Sequence, residues 1–220
     1  MLLAVVAGLG AAFLARAAVR LARRWRAVRR RPVLTCAEFA AATPGTAVVV
    51  VGRTAVGPVV SAARSRTPCV GYQSVFIRNR TVSDNYSEST ITLGPEQGDL
   101  MLHGDDGATV VLAHEVRTRR LLLSRNPMLV AAAEIEDPNS SRHEQRIERE
   151  FVASADRPVV ATGVVATVAW DPGRLILDRR NGVDGSAEGT VDDLSQTFTW
   201  EIILLVIGTA ALAGLAVLLV

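Results

Sequence analysis

The chain has 220 residues, 49% of them apolar, with 24 basic against 22 acidic residues and a formal charge of +2. Every basic residue is arginine, which excludes a Schiff-base lysine and the lysine of a phosphate-binding loop. Eight of these arginines lie between Arg16 and Arg31, and the rest of the chain carries six more acidic than basic residues, so bulk charge there offers no surface for nucleic acid.

The chain opens with "MLLAVVAGLGAAFLA", fifteen residues without a charge. Arg16 and Arg20 follow one helical turn apart, so both can reach the headgroups from one face, and a transmembrane helix is expected over 1–22. A cleaved signal peptide is the rival. Small-residue cleavage sites are present, but no positively charged segment precedes the apolar run. Residues 23–34 form a basic juxtamembrane segment holding Arg23, Arg24, Arg26, Arg29, Arg30 and Arg31. Arginines beside a span stay in the cytoplasm and can grip anionic headgroups.

A mainly β soluble domain is expected over 35–199, barrel-like and with signs of duplication. "LTCAEFAAATPG" predicts a short helix, with Thr35 and Glu38 as a capping box and Pro44-Gly45 as its stop. "TAVVVVGRTAV" reads as a strand, and "CVGYQSVFIRNRTV" alternates like one. "DLMLHGDDGATVVLA" reads as a hairpin turning at Gly104–Gly107. "RPVVATGVVATVAW" reads as a strand pair or one bent strand, and "GRLILDRR" as a short strand. "SDNYSEST" and "EDPNSSRHEQ" read as polar loops. Arg142–Phe151 fits either period: local propensity favours helix, the β-rich surroundings favour strand.

"AVVVVGRTAV" and "PVVATGVVAT" align Gly52 on Gly163, flanked by Val48/Val159 and Val49/Val160. Glycine inside such strands marks a bend or bulge; a duplicated half-barrel explains the echo, and so does a Val-rich, Ala-rich composition. The chain closes on "WEIILLVIGTAALAGLAVLLV", a second transmembrane helix over 200–220 with Trp200 as an interfacial anchor. Ala4, Gly8 and Ala12 on the first span, with Ala210 and Gly214 on the second, predict close helix pairing, and homo-oligomers through the spans are a further expectation.

Catalytic chemistry finds little support. His103, His114 and His143 have no metal-ligand spacing. His114-Glu115 could begin an acid–base pair, but no nucleophile motif accompanies it. Asp105-Asp106 fits a turn better than a calcium loop. No metal and no cofactor is expected. Cys36 and Cys69 should be free thiols in a cytoplasmic domain and could pair in an oxidising compartment. NRT at Asn79, NYS at Asn85 and NSS at Asn139 match the glycosylation pattern, which matters only in a lumenal domain.

Taken in order, "TPGTAVVVVGRT", "RTPCVGY", "LMLHGDDGATVVLA" and "RIEREFVASADRPVVATG" resemble the GIDE or beside-a-membrane domain, over about residues 35–180. That family is known from the mitochondrial membrane-anchored ubiquitin ligases and from many prokaryotic proteins, and the arginine-only composition suits a bacterial-type member. The motif residues here are Pro44, Gly45, Pro68, Cys69, Tyr72, Glu150 and Asp156; Ala155 stands where the family usually has glycine. The family's ligases carry a RING finger beyond the second span, and the Cys and His of this sequence are too few and too scattered for its two zinc sites. The expectation is therefore a membrane-anchored, non-enzymatic binding, scaffold or sensing domain on the cytoplasmic face, both termini outside, for a protein or small-molecule partner. The resemblance also implies the alternative of a ubiquitin-ligase-type transferase, and a hydrolase using His114 and Glu115 is a further alternative.

Overall fold

A computed structural model describes residues 2–56, 60–83, 86–98, 100–119, 121, 128–138, 140–141, 143–168, 171–180 and 183–218. In chain order the elements are α1 (Leu2–Arg29), β1 (Val33–Leu34), α2 (Cys36–Ala40), β2 (Ala47–Arg53), β3 (Val60–Ser61), β4 (Pro68–Cys69), β5 (Gly71–Ser83), β6 (Tyr86–Gly98), β7 (Met101–His103), β8 (Thr109–Leu112), α3 (His114–Thr118), β9 (Val130–Glu136), β10 (Glu144–Ala153), β11 (Pro158–Val168), β12 (Asp171–Asp178), β13 (Gly185–Glu188) and α4 (Val191–Leu218). The domain is mainly β, as expected, between two long apolar helices.

Five strands close a small barrel in the order β2-β7-β8-β12-β11 and back to β2, with β1 and β13 added beside β2 and β11. The β7–β8 hairpin turns at Gly104–Gly107, where Gly107 takes φ +82°. The short helix forms with both halves of its capping box: Thr35 Oγ1 accepts from the Glu38 amide, and the Glu38 carboxylate accepts from the Thr35 amide. After it, Gly45 at φ +90° turns the chain and donates its amide to the Val165 carbonyl at 2.8 Å.

β2 explains its own composition. Val48 and Val50 point into the barrel core with Phe39, Leu102, Leu112 and Leu177, while Val49 and Val51 join the cluster under α1 and α4. Successive strand residues face opposite ways, and both faces are covered, so a continuous valine run replaces polar alternation.

The internal echo is a symmetry of pairing. β2 and β11 run antiparallel, with Val48 opposite Gly163, Gly52 opposite Val159, and Val50 opposite Ala161 on the local two-fold axis. The symmetry continues to one flanking strand on each side, β7 at Arg53↔His103 and β12 at Val164↔Asp178. It ends at β1, parallel to β2, against β13, antiparallel to β11. Neither glycine has a positive φ, and the β2–β11 register passes both without a shift. They are needed for close approach. A Cβ on Gly163 would lie 2.5 Å from the Asp178 carbonyl oxygen, and one on Gly52 3.0 Å from both Cys36 Sγ and the His103 carbonyl oxygen.

A second sheet, β6-β5-β10-β9, is antiparallel throughout. Its long hairpin absorbs the stretch "SDNYSEST" expected as a loop: pairing runs to Ser83↔Tyr86, so most of that stretch is strand. The polar residues belong to a solvated ladder, as when Ser89 donates to Asn79 Oδ1. Glu144–Ala153 is strand. Its ladder with β5 runs over the whole stretch without a shift and decides against the helix; Glu144–Arg78 at 2.7 Å and Arg149–Glu134 are cross-strand ion pairs on it, and Glu144 also pairs with Arg146 of its own strand at 2.6 Å. The Arg78 guanidinium first, then that of Arg146, hold the Glu144 carboxyl down at about 2. Arg142, Asn85 and Asn139 lie outside the described residues.

Candidate functional site

α1 and α4 are the two described helices long and apolar enough to cross a membrane, and they support a membrane location. On α1, Ala4, Ala7, Ala11, Ala18, Leu21, Trp25 and Val28 are buried. Their spacing alternates between three and four residues, with partly buried Leu14 filling the one break, which is the seam of an antiparallel coiled pair. The helices come close where small residues permit it: a Cβ on Gly10 would lie 3.1 Å from Leu212 Cδ1, and one on Gly208 3.2 Å from Leu14 Cδ1. The seam is not the expected one. Gly8 and Gly214 have open space beside them, and Ala12 and Ala210 are exposed. A straight i+4 line drifts off a 3.5-residue repeat, which moves the contact from residues 8 and 12 to 7 and 11.

Both helices extend beyond their apolar spans into the domain. α1 is unbroken to Arg29, so residues 23–29 are its last turns, and α4 begins at Val191, ahead of Trp200. The extensions carry Leu21, Trp25, Val28, Leu194 and Phe198 onto Val49, Val160 and Ala187 of the barrel wall. Thr190 caps α4 by accepting from the Asp193 amide at 3.2 Å, and Asp193 Oδ2 accepts from the Thr190 amide at 2.8 Å. The Thr190 amide, then its hydroxyl, donate to that carboxylate and hold it below its usual range.

The flanking arginines divide. Arg23, Arg24, Arg26, Arg29 and Arg30 are exposed and have no ion-pair partner among the described residues. Arg31 instead donates to Asp184 Oδ1 at 2.7 Å, with side chains 7% and 0% exposed, while Asp184 Oδ2 accepts from the Arg180 amide. It is bound to the domain and is not free for headgroups.

Four of the residues that carry the sequence resemblance, Glu150, Pro68, Cys69 and Tyr72, meet around one loop. The Glu150 carboxylate is fully buried and accepts from the Arg64 amide at 2.8 Å, the Ser65 amide at 2.9 Å and Ser65 Oγ at 2.7 Å. A bulge between Glu150 and Phe151 against β9 aims it there. Burial opposes its charge; the Ser65 hydroxyl and the amides of Arg64, Ser65 and Ala63 outweigh it, so the carboxyl stays below its usual range. Cys69 and Tyr72 pack beside that loop with Ala62 and Val152, Pro68 pairs with Ser61, and the Tyr72 hydroxyl donates to Gln97 Oε1. Burial, then the Glu150 charge, push the Cys69 thiol up. This carboxylate is committed to holding backbone amides, a clasp and not a base.

Asp156 stands apart at the β10–β11 turn, with φ +50°, where Arg53 donates Nε to its Oδ1 at 2.9 Å and Nη2 to its carbonyl at 3.1 Å. Aspartate tolerates this left-handed conformation, so Ala155 need not be glycine. Pro44-Gly45 lie on another side of the barrel, by Val165. Cys36 sits in the barrel core and Cys69 under the loop, both free. Burial, then Asp106 and Asp105, push the Cys36 thiol up to about 11.

A polar network between α3 and the second sheet has no motif in the sequence. Arg117 makes a two-pronged pair with Glu96 at 2.9 and 2.5 Å, Gln73 Nε2 donates to the same carboxylate, and His114 Nδ1 lies 2.8 Å from Gln73 Oε1. Burial, then Arg117, lower the His114 pKa, so the ring is neutral at neutral pH and faces an amide instead of a nucleophile. Among the described residues no group of three or more His, Cys, Asp or Glu could hold a metal ion.

No protein-family model, no curated protein and no solved structure matches this chain.

Proposed function

We propose that the chain is a membrane-anchored, non-enzymatic binding or scaffold domain of GIDE type, held on the cytoplasmic face with both termini outside. The observation that carries this reading is the continuity of helix and domain. Trp25, Phe198 and Leu21 belong at once to the helix pair and to the barrel's outer packing, so the domain is seated on its anchors and does not swing from linkers. The exposed arginines of α1 supply the orientation through the positive-inside preference.

What such a seated domain offers a partner is its second sheet. On one of its faces Phe76 and Ile135 are exposed, both cross-strand neighbours of Glu148, and exposed apolar surface rimmed by polar groups marks interaction sites. Glu150, the one acidic residue of the family motif that is fully buried, is bound up in its loop, which supports a structural role for the motif over transfer chemistry. The test is photocrosslinking in cells from Phe76 and Ile135, compared with Ser140 on a polar loop. A discrete partner from the first two sites supports the reading. Crosslinks from neither, with ubiquitin discharge by the purified chain, would favour the transferase alternative.

A further inference from the structure

Between α1 and α4, at the domain-side end of the apolar segments, runs a groove of about 380 Å³. Arg16, Arg20 and Arg24 line it from α1 and Glu201 from α4, with Phe13 and Leu205 at its apolar end. The three arginines are spaced i, i+4, i+8, which puts them on one helix face. None has an ion-pair partner among the described residues, and Glu201 offsets only one of their charges. Phe13 is 73% exposed and belongs to the uncharged run of α1.

We infer that this groove binds one anionic phospholipid, its phosphate held by Arg16, Arg20 and Arg24 and an acyl chain laid against Phe13 and Leu205. The inference rests on the membrane reading above and deepens it by naming a site. Guanidinium forks match phosphate oxygens in pairs, and a charged rim ending in apolar wall suits a lipid better than a free anion. Arg23, Arg26 and Arg30 are equally exposed but do not line the groove, so they act as diffuse surface charge. This separates a site from the general attraction of a basic segment for an anionic leaflet.

The test uses the full chain in vesicles of phosphatidylcholine with a minor fraction of spin-labelled phosphatidylglycerol, reading the selectivity for the anionic lipid. R16Q/R20Q/R24Q should lower that selectivity by more than about tenfold, and R20Q alone by about fivefold. R23Q/R26Q/R30Q removes the same charge and should change it less than about twofold. Equal losses in both triple variants, or wild type without selectivity while inserted, would overturn the site and leave the membrane reading intact. Displacement of the lipid by inorganic phosphate would also overturn it, as a free-anion site. A chain that does not associate with these vesicles would overturn both.

Discussion

Trp25 of α1 stacks on Phe198 of α4, ring centroids 4.5 Å apart and planes 26° from parallel. Both rings are buried against the barrel wall, so one contact joins the helices to each other and to the domain. Trp25→Ala should therefore cost about 3–5 kcal/mol and loosen the domain from its anchors. Thermal unfolding in mild detergent, with limited proteolysis between residues 29 and 33, measures both effects.

Arg31→Ala should destabilise by about 3–5 kcal/mol, because it removes the guanidinium that pairs with the buried Asp184 carboxylate. Arg29→Ala and Arg30→Ala, at exposed positions of the same basic run, should stay within about 0.5 kcal/mol. Chemical denaturation of the three variants is the check.

Gly163→Ala should destabilise more than Gly52→Ala. At Gly163 the new Cβ meets a backbone carbonyl at 2.5 Å, whereas at Gly52 the contacts begin at 3.0 Å and include the Cys36 side chain, which can yield. An overpacking cost of roughly 1–3 kcal/mol is expected at Gly163, read from denaturation midpoints.

Glu150 should contribute to acid unfolding. Its folded pKa lies below the ordinary value of 4.5, so its contribution is full above 4.5 and is lost as the pH falls from there through the folded value. Glu150→Gln should flatten that part of the stability–pH curve, at a cost near neutrality of about 1–3 kcal/mol from poorly satisfied amides. Denaturation across acidic pH follows it.

Helix pairing fixes a crosslinking pattern. In a background without Cys36 and Cys69, cysteines at Gly10 and Leu212 should crosslink within one molecule, and cysteines at Gly8 and Gly214 should not. Crosslinking only between molecules would mean that the spans build oligomers.

Elements with their own local code were legible in the sequence: the Thr35–Glu38 capping box, the Gly104–Gly107 hairpin, the valine strands and the two apolar helices. Arg142–Phe151 was not, because its strand state rests on pairing with β5 and β9, which a local window does not contain. The helix seam was off by one residue at Gly8 and Ala12, because small residues fill several faces of α1 and only the partner selects one. The Arg31–Asp184 pair and the network from His114 to Arg117 were invisible for the same reason: their members come from separate elements and carry no spacing signature.

The proposed arrangement is a domain fixed on the cytoplasmic face of a membrane by two packed helices. Its most direct test is a single cysteine at Ser89, on the solvated hairpin, probed in intact cells with a membrane-impermeant maleimide after Cys36 and Cys69 are replaced. Labelling is expected only after the cells are lysed, with the chain retained in the membrane fraction through alkaline extraction. Labelling in intact cells, or release of the chain by alkali, would contradict it.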